Sequence, residues 1–149
     1  MPESDVEHIR RWFLRLAEHM QAVDYVGARP LFAEDVLAFG SLGGFLIGRD
    51  ALEQEQWRKV WATIDGSRFR LDDLRAIVSA DRLTAVGMAL FDSTGFDEQG
   101  TPYERPGRST VVLGRSVVDE AWVARHVHFS LSPGVPPRSL GRKPEKATV

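Results

Sequence analysis

The sequence contains no cysteine among its 149 residues. Disulfide bonds, thiolate metal sites and cysteine nucleophiles are therefore excluded, and nothing points to an oxidising compartment. It also lacks any run of about 20 apolar residues, the length that spans a bilayer. Residues 1–10 include several acidic side chains, whereas a secretory signal begins basic and continues with an apolar run. We therefore expect a cytoplasmic protein that does not associate with a membrane.

A marked excess of either charge is also missing, since the formal net charge is −2 at pH 7. The basic residues are dispersed except for a group near the end of the chain, which contains Arg138, Arg142, Lys143 and Lys146. This distribution argues against nucleic acid as a partner. With 43% hydrophobic and 27% charged residues, the composition is that of an ordinary globular domain. We predict one domain over residues 1–133 and a Pro-rich, mobile tail over residues 134–149.

The N-terminal part of the sequence has helical patterning. Ser4 and Glu7 form a capping box, which predicts the start of a helix. Apolar residues then recur every three or four positions as far as Val23, the pattern of a helix with one buried face. Because Pro30 disfavours a longer helix, only a short helical segment is expected over residues 24–32.

A hairpin and a third helix are predicted next. Gly43 and Gly44 separate the apolar segments 36–39 and 45–47, which is typical of two short antiparallel strands joined by a tight turn. Asp50, with Glu53 three residues later, repeats the signature of a helix start. We expect this helix to end near Gly66.

The second half of the sequence changes to the two-residue period of strands. An irregularity near Asp72 predicts a bulge in the first strand, and the segment 95–107 is predicted to be a loop. Together these elements predict an α+β fold, in which N-terminal helices pack on a strongly curved, mixed or antiparallel sheet and enclose a pocket for a small molecule. The predicted extended segments are residues 69–78, 83–91, 108–113 and 121–131.

Three motifs resemble those of a known superfamily. The first is an entry into a strand at Phe32, Ala33 and Asp35, and the second is a helix start at Gly48, Ala51 and Leu52. The third covers the closing strands, residues 122–130 preceded by 108–110. The chain resembles the nuclear transport factor 2-like superfamily, in its SnoaL-like and ketosteroid isomerase-like branch. This resemblance implies a cone-shaped, cystatin-like α+β fold.

The resemblance also implies a function. A SnoaL-like protein is expected to be an acid–base isomerase, dehydratase or cyclase that acts on a largely apolar metabolite, without a cofactor, as a homodimer formed through the sheet. The closing strands are also similar to the association domain of calmodulin-dependent kinase, so the alternative is a non-catalytic ligand-binding or oligomerisation module. One departure is clear: the isomerase pattern puts its catalytic aspartate near Gly40, which cannot abstract a proton. The isomerase mechanism is therefore not carried over.

A polar row on the last predicted strand supplies candidate catalytic groups. His126, His128 and Ser130 lie two residues apart and therefore share one face of a strand. Imidazoles exchange protons near neutral pH, which makes His128 and then His126 the catalytic candidates, with Ser130 to orient a ligand. This hypothesis requires the row to face the pocket, and the sequence does not determine which face points inwards. The alternative is that both histidines bond within the sheet or at a dimer contact.

Further candidates lie on the neighbouring segments. Arg108 and Thr110 could bind an anion, because a guanidinium group presents paired donors to a carboxylate, enolate or phosphate. Asp92, at the end of a strand, is the candidate carboxylate acid or base, with an exposed loop residue as the alternative. The aromatic and sulfur-containing candidates for a pocket lining, for which core packing is the alternative, are Trp12, Phe39, Trp57, Trp61 and Met88.

A metal site is not predicted. His126 and His128 could supply two imidazoles to one ion, but the local sequence offers no third ligand. The other two histidines, His8 and His19, lie on the first predicted helix, and nothing in the sequence connects them to the last strand.

Overall fold

The structure is a computed structural model that describes residues 4–141. The chain has the predicted α+β fold, in which helices cover one face of an eight-stranded sheet. The helices are α1 (Asp5–Ala22), α2 (Tyr25–Ala28) and α3 (residues 49–63). The strands are β1 (Phe32–Phe39), β2 (Phe45–Ile47), β3 (Asp65–Phe69), β4 (Arg75–Val78), β5 (Thr84–Phe96), β6 (Pro102–Glu104), β7 (Gly107–Gly114) and β8 (Val123–Leu131).

The sheet is mixed, one of the two arrangements that the sequence left open. Its strand order is β2-β1-β8-β7-β5-β3, and β4 and β6 also pair with β5. The first strand pairs with the last in parallel, while every other pair is antiparallel. The predicted hairpin is confirmed, because Leu37 of β1 faces Ile47 of β2. The long strand β5 pairs with β3, β4, β6 and β7 and is therefore the centre of the sheet.

Helix α1 begins at the predicted capping box and packs on the sheet through its predicted apolar face. The Ser4 hydroxyl accepts a hydrogen bond from the backbone N–H of Glu7 at 3.2 Å. Ile9 and Phe13 are completely buried against β5 at Gly87, where a side chain would collide with both of them. Glycine at this position lets the helix approach the sheet closely.

Helix α3 differs from the prediction at its start. Gly48 precedes its first turn with a φ of 92°, and no side chain caps the helix. Asp50, which we expected to be the cap, instead accepts a hydrogen bond from Arg29 at 2.6 Å. A turn of π-helix, Glu53–Trp57, then interrupts the α-helical geometry. Insertions of this kind change which side chains a helix presents to its neighbours.

Two irregular segments also differ from the sequence-based expectation. The predicted bulge near Asp72 is a turn of 3₁₀-helix, Leu71–Asp73, which separates β3 from β4. The predicted loop 95–107 contains the end of β5 and the short strand β6, which pair antiparallel. The sequence shows no alternation of apolar and polar side chains there. One reason is that Gly95, which packs against the Tyr103 ring, has no side chain to contribute to such a pattern.

One extra residue in β8 sets the orientation of the last strand. Val112 of β7 pairs with His126 and Leu113 pairs with Ala124, so Arg125 is a bulge. A bulge shifts the alternation of side chains by one residue. Strict two-residue alternation would put Trp122 and Ala124 on the same face as His126, but the bulge places them on the opposite one. They are buried on the side that the helices cover.

No helix within residues 4–141 covers the opposite side of the sheet, which we call the outer face. In the register of the sheet it carries Leu37, Ile47, Ile77, Val86, Met88, Leu90, Arg108, Thr110, Val112, His126, His128 and Ser130. Several of its apolar side chains are exposed, among them Leu37, Ile47 and Ile77.

Part of the predicted mobile tail is bound to the body of the protein. The Ser139 hydroxyl donates to the carbonyl of Thr63 at 2.6 Å and accepts from the backbone N–H of Phe96 at 2.9 Å. The backbone N–H of Leu140 donates to the Phe96 carbonyl, also at 2.9 Å. The basic residues at 142, 143 and 146 lie outside the described residues.

Replacing Gly87 with alanine is expected to lower the free energy of unfolding by about 1–3 kcal/mol, because the added methyl group has to displace fully buried side chains. Its Cβ would lie 2.8 Å from the Phe13 ring and 3.1 Å from Ile9 Cγ2. Urea unfolding gives the value. Gly44→Ala is the matched control, since a Cβ there has nothing within 4 Å. Equal stabilities of the two variants would contradict this packing.

Candidate functional site

A cavity lies between α3 and the helix-covered face of the sheet. Its volume, as the space open to the centre of a water molecule, is about 50 Å³, which accommodates several water molecules. Residues from both layers line it, including Leu16, Leu52, Trp57, Trp61, Ile64, Phe69, Phe91, Val127 and Phe129.

Aromatic rings form most of the cavity walls. Trp57 and Trp61 of α3 stack on each other with centroids 4.8 Å apart, and Phe91 stacks on Phe129 across the sheet at 5.7 Å. The π-helical turn brings Gln56 and Trp57, which are adjacent in sequence, to the same cavity. The walls therefore suit a flat, apolar molecule.

Few polar side chains reach the cavity. Gln56 donates from Nε2 to the Ser41 hydroxyl at 3.0 Å, and both residues line one end. Gly40 allows this arrangement, because a Cβ at that position would collide with the Gln56 amide. Ser67 and Ser93 contribute buried hydroxyl groups from β3 and β5. These groups can orient a ligand by hydrogen bonds.

The charged side chain of Arg105 is also buried at the cavity. It is 5% exposed, and its Nη1 lies 3.3 Å from the Ser93 hydroxyl. Burial lowers the pKa of Arg105. Sequence reasoning missed this residue, because the segment 95–107 has the composition of a loop, where arginine is normally exposed. A single sequence carried no signal to the contrary.

Asp92, the predicted carboxylate, borders the cavity. Both of its oxygens accept hydrogen bonds from Arg70, at 2.8 Å each. These bonds lower the pKa of Asp92 and so stabilise the charged form. A carboxylate held in this way is a weak proton acceptor.

The two predicted catalytic histidines lie on the outer face of the sheet. Val127 and Phe129, which alternate with them, line the cavity, so the imidazoles of His126 and His128 point away from it. His126 Nδ1 is 2.8 Å from the Leu37 carbonyl, and the His128 ring packs on Phe39 at 5.2 Å. The hypothesis required the opposite orientation. These histidines cannot exchange a proton with a ligand in this cavity.

The remaining predicted site residues are divided between the two faces. Arg108, Thr110, Ser130 and Met88 are neighbours on the outer face, since Thr110 pairs with both Met88 and His128 and Arg108 pairs with Ser130. Trp12 is a core residue whose indole N–H donates to the Leu31 carbonyl. Of the predicted lining, Trp57 and Trp61 border the cavity, while Phe39 reaches only its edge, because its ring packs on His126 and His128 of the outer face. The sequence therefore identified part of the apolar wall and none of its buried charge.

A buried carboxylate fixes the cavity-lining part of α3. Glu53, in the π-helical turn, accepts hydrogen bonds from Arg29 at 2.7 Å and from Arg58 at 2.9 Å. The bond from Arg29 and then that from Arg58 lower the pKa of Glu53. Because Arg29 precedes β1, this pair connects α3 to the first strand.

Neither a metal centre nor a membrane span is formed by residues 4–141. No three potential metal ligands among histidine, aspartate and glutamate converge there. No helix in that part of the chain is both long and apolar enough to cross a membrane.

Comparisons with known proteins support this fold. The SnoaL-like domain family matches residues 9–134. A ketosteroid isomerase-like protein from Erwinia carotovora atroseptica has a TM-score of 0.72 and 14% identity, over 89% of this chain and 100% of that one. A nuclear transport factor 2-like superfamily protein from Salmonella enterica has a TM-score of 0.70 and 18% identity, over 87% and 94%.

A further structural match is the CaMKII hub from S. rosetta, with a TM-score of 0.70 and 14% identity over 89% of this chain and 100% of that one. At such identities the likeness shows the fold alone. No curated protein matches the chain. The predicted superfamily and fold class are confirmed.

Glu53→Gln is expected to lower the free energy of unfolding by about 1–3 kcal/mol at pH 7, because it weakens two charge-assisted hydrogen bonds to a buried group. The native pKa of Glu53 is lowered, so its contribution is present above the unfolded pKa of about 4.3 and is lost as the pH falls through the native pKa. Denaturant unfolding of both proteins should therefore show their difference shrinking below about pH 4.3.

Glu55→Gln is the control for this change, because Glu55 forms only an exposed ion pair with Lys59. It should have little effect on stability. A difference between wild type and Glu53→Gln that stayed constant with pH would contradict the role assigned to the carboxylate.

Proposed function

Because the chain belongs to the SnoaL-like domain family, we propose that it binds a small, largely apolar molecule in the cavity beneath α3. The observation that carries this proposal is the lining, in which aromatic side chains surround a few polar groups. Ligand sites commonly combine an apolar wall with a small number of convergent polar groups. The limited volume of the cavity favours a molecule of about one ring in size.

The geometry favours binding over proton transfer. Of the predicted acid–base groups, only Asp92 borders the cavity, and Arg70 holds its carboxylate. Isomerisation, dehydration or cyclisation would each need a group that gives or accepts a proton at the ligand. We therefore rank a ligand-binding protein ahead of an acid–base enzyme, and Asp92 is the one sequence-predicted candidate for the latter.

Screening against small aromatic and aliphatic molecules, among them organic acids and their neutral analogues, tests the proposal. A ligand at a hundred times its dissociation constant adds about 2.7 kcal/mol of stability, which corresponds to a rise in melting temperature of about 5–10 °C. Ser67→Phe is expected to abolish the response, because Ser67 is buried in the cavity wall and phenylalanine would fill the space. Thermal shift and native mass spectrometry measure both effects.

Ser116→Phe provides the matched control, since it makes the same change at an exposed position between β7 and β8. It should retain the response of the wild type. Absence of any response across the panel, or an undiminished response in Ser67→Phe, would contradict ligand binding in the cavity.

Self-association through the outer face is a second function that a specific observation favours. Cross-strand pairs align Ile47, Leu37, His126, Val112, Val86 and Ile77 in one row across six strands. Exposed apolar side chains in such a row are typical of protein interfaces. Likeness of fold to a CaMKII hub is consistent with this proposal.

Ile47→Lys is expected to convert a dimer into a monomer, because it introduces an unpaired charge into a desolvated contact. Light scattering coupled to size exclusion measures the mass. Val26→Lys is the control, since Val26 is 77% exposed and Ile47 73% exposed, but Val26 lies on α2, away from the outer face. A monomeric wild type, or equal masses for both variants and wild type, would refute assembly through this face.

A further inference from the structure

Arg105 is a buried cation without a counter-ion. Its residue exposure is 5%, and within residues 4–141 no carboxylate lies within 4 Å of it. Its Nε has no hydrogen-bond partner, and Nη1 contacts only a neutral hydroxyl, that of Ser93. By contrast, Arg70, Arg82 and Arg115 each bind an aspartate.

A buried guanidinium group without a counter-ion lowers the stability of a folded protein. A guanidinium group keeps its proton even when burial lowers its pKa. Removing this charge from water without a compensating anion therefore destabilises the fold. Buried, unpaired polar groups of this kind are characteristic of functional sites, where a ligand provides the missing partner.

The position of Arg105 connects the charge to the cavity. Arg105 lines both the aromatic cavity and a second cavity, which residues 137–140 also line. Ser93 and Arg105 hold each other in place, because the Ser93 hydroxyl donates to the Arg105 carbonyl at 2.8 Å and the Arg105 N–H donates to the Ser93 carbonyl at 2.9 Å. The guanidinium group is therefore presented from a fixed backbone.

Within the aromatic cavity, the buried positive charge matches an anion with one negative charge. Arg105 is the buried cation of this cavity, and the other arginine in the lining, Arg68, is exposed. A phosphate dianion would leave one charge uncompensated in an apolar site, whereas a carboxylate matches a single guanidinium in charge and in its paired acceptors. The rest of the ligand faces rings such as Trp57 and Phe91.

We propose that the cavity binds a small organic monocarboxylate with a flat, apolar body, and that its carboxylate forms an ion pair with Arg105. This inference rests on the proposed binding function and adds the chemical class of the ligand.

Matched pairs of probes test the charge directly. Benzoate and benzamide, cinnamate and cinnamamide, and hexanoate and hexanamide differ within each pair chiefly by the negative charge. With the full chain, we expect the acid of at least one pair to bind about ten-fold or more tightly than its amide. Isothermal titration calorimetry measures both affinities, and thermal shift confirms them.

Arg105→Met is expected to remove the preference for the acid, and Arg105→Lys to retain part of it. Arg75→Met is the control, because it deletes an exposed guanidinium that does not border the cavity. Without ligand, Arg105→Met should melt at the same temperature as the wild type or higher, since it relieves an uncompensated buried charge. A purely structural arginine would give a lower melting temperature.

The outcomes separate the two proposals. Equal binding of acids and amides by the wild type, or acid preference that survives in Arg105→Met, would refute the carboxylate and leave the binding function standing. Failure of every probe and every member of the wider panel would refute both. The comparison of acids with amides uses the wild type alone and so does not depend on the folding of any variant.

Discussion

The structure depends on the close contact between α1 and the first half of β5, where Phe13 and Ile9 rest on Gly87. The contact brings α1 close to the sheet and leaves both side chains completely buried there. Near Phe91 the same face of β5 borders the aromatic cavity, which Leu16 and Met20 of α1 line together with α3. Along this strand, close packing at Gly87 is followed by open space near Phe91.

Much of the fold was predictable because it depends on local patterns. The capping box at Ser4 and the glycines of the first hairpin involve nearby residues only, and the structure has both elements where they were expected. The cap at Asp50 was wrong because the helix begins after Gly48, so Asp50 lies inside the first turn, where its carboxylate binds Arg29. For a similar reason, composition does not reveal that Ser139, in the predicted tail, bonds to Thr63 and Phe96.

The candidate site was less predictable, because it depends on registers that alternation alone does not determine. Trp57 and Trp61 were found because large aromatic residues on an amphipathic helix are usually buried. The imidazole row was identified correctly as a row, but its orientation depends on an unpaired residue in β8. Arg105 was missed because the burial of a charged loop residue depends on the surrounding tertiary structure, and nothing in its neighbours in sequence reports it.

The bulge at Arg125 has an evolutionary consequence. Side chains on a strand alternate strictly, so one inserted or deleted residue exchanges the sets presented on the two sides. A relative of this protein that lacked the extra residue could turn its imidazoles toward the interior with every side chain otherwise unchanged. Within such a lineage, a single codon can thus separate chains that display histidines on their surface from chains that enclose them, and substitution-based comparisons of sequences would overlook the difference.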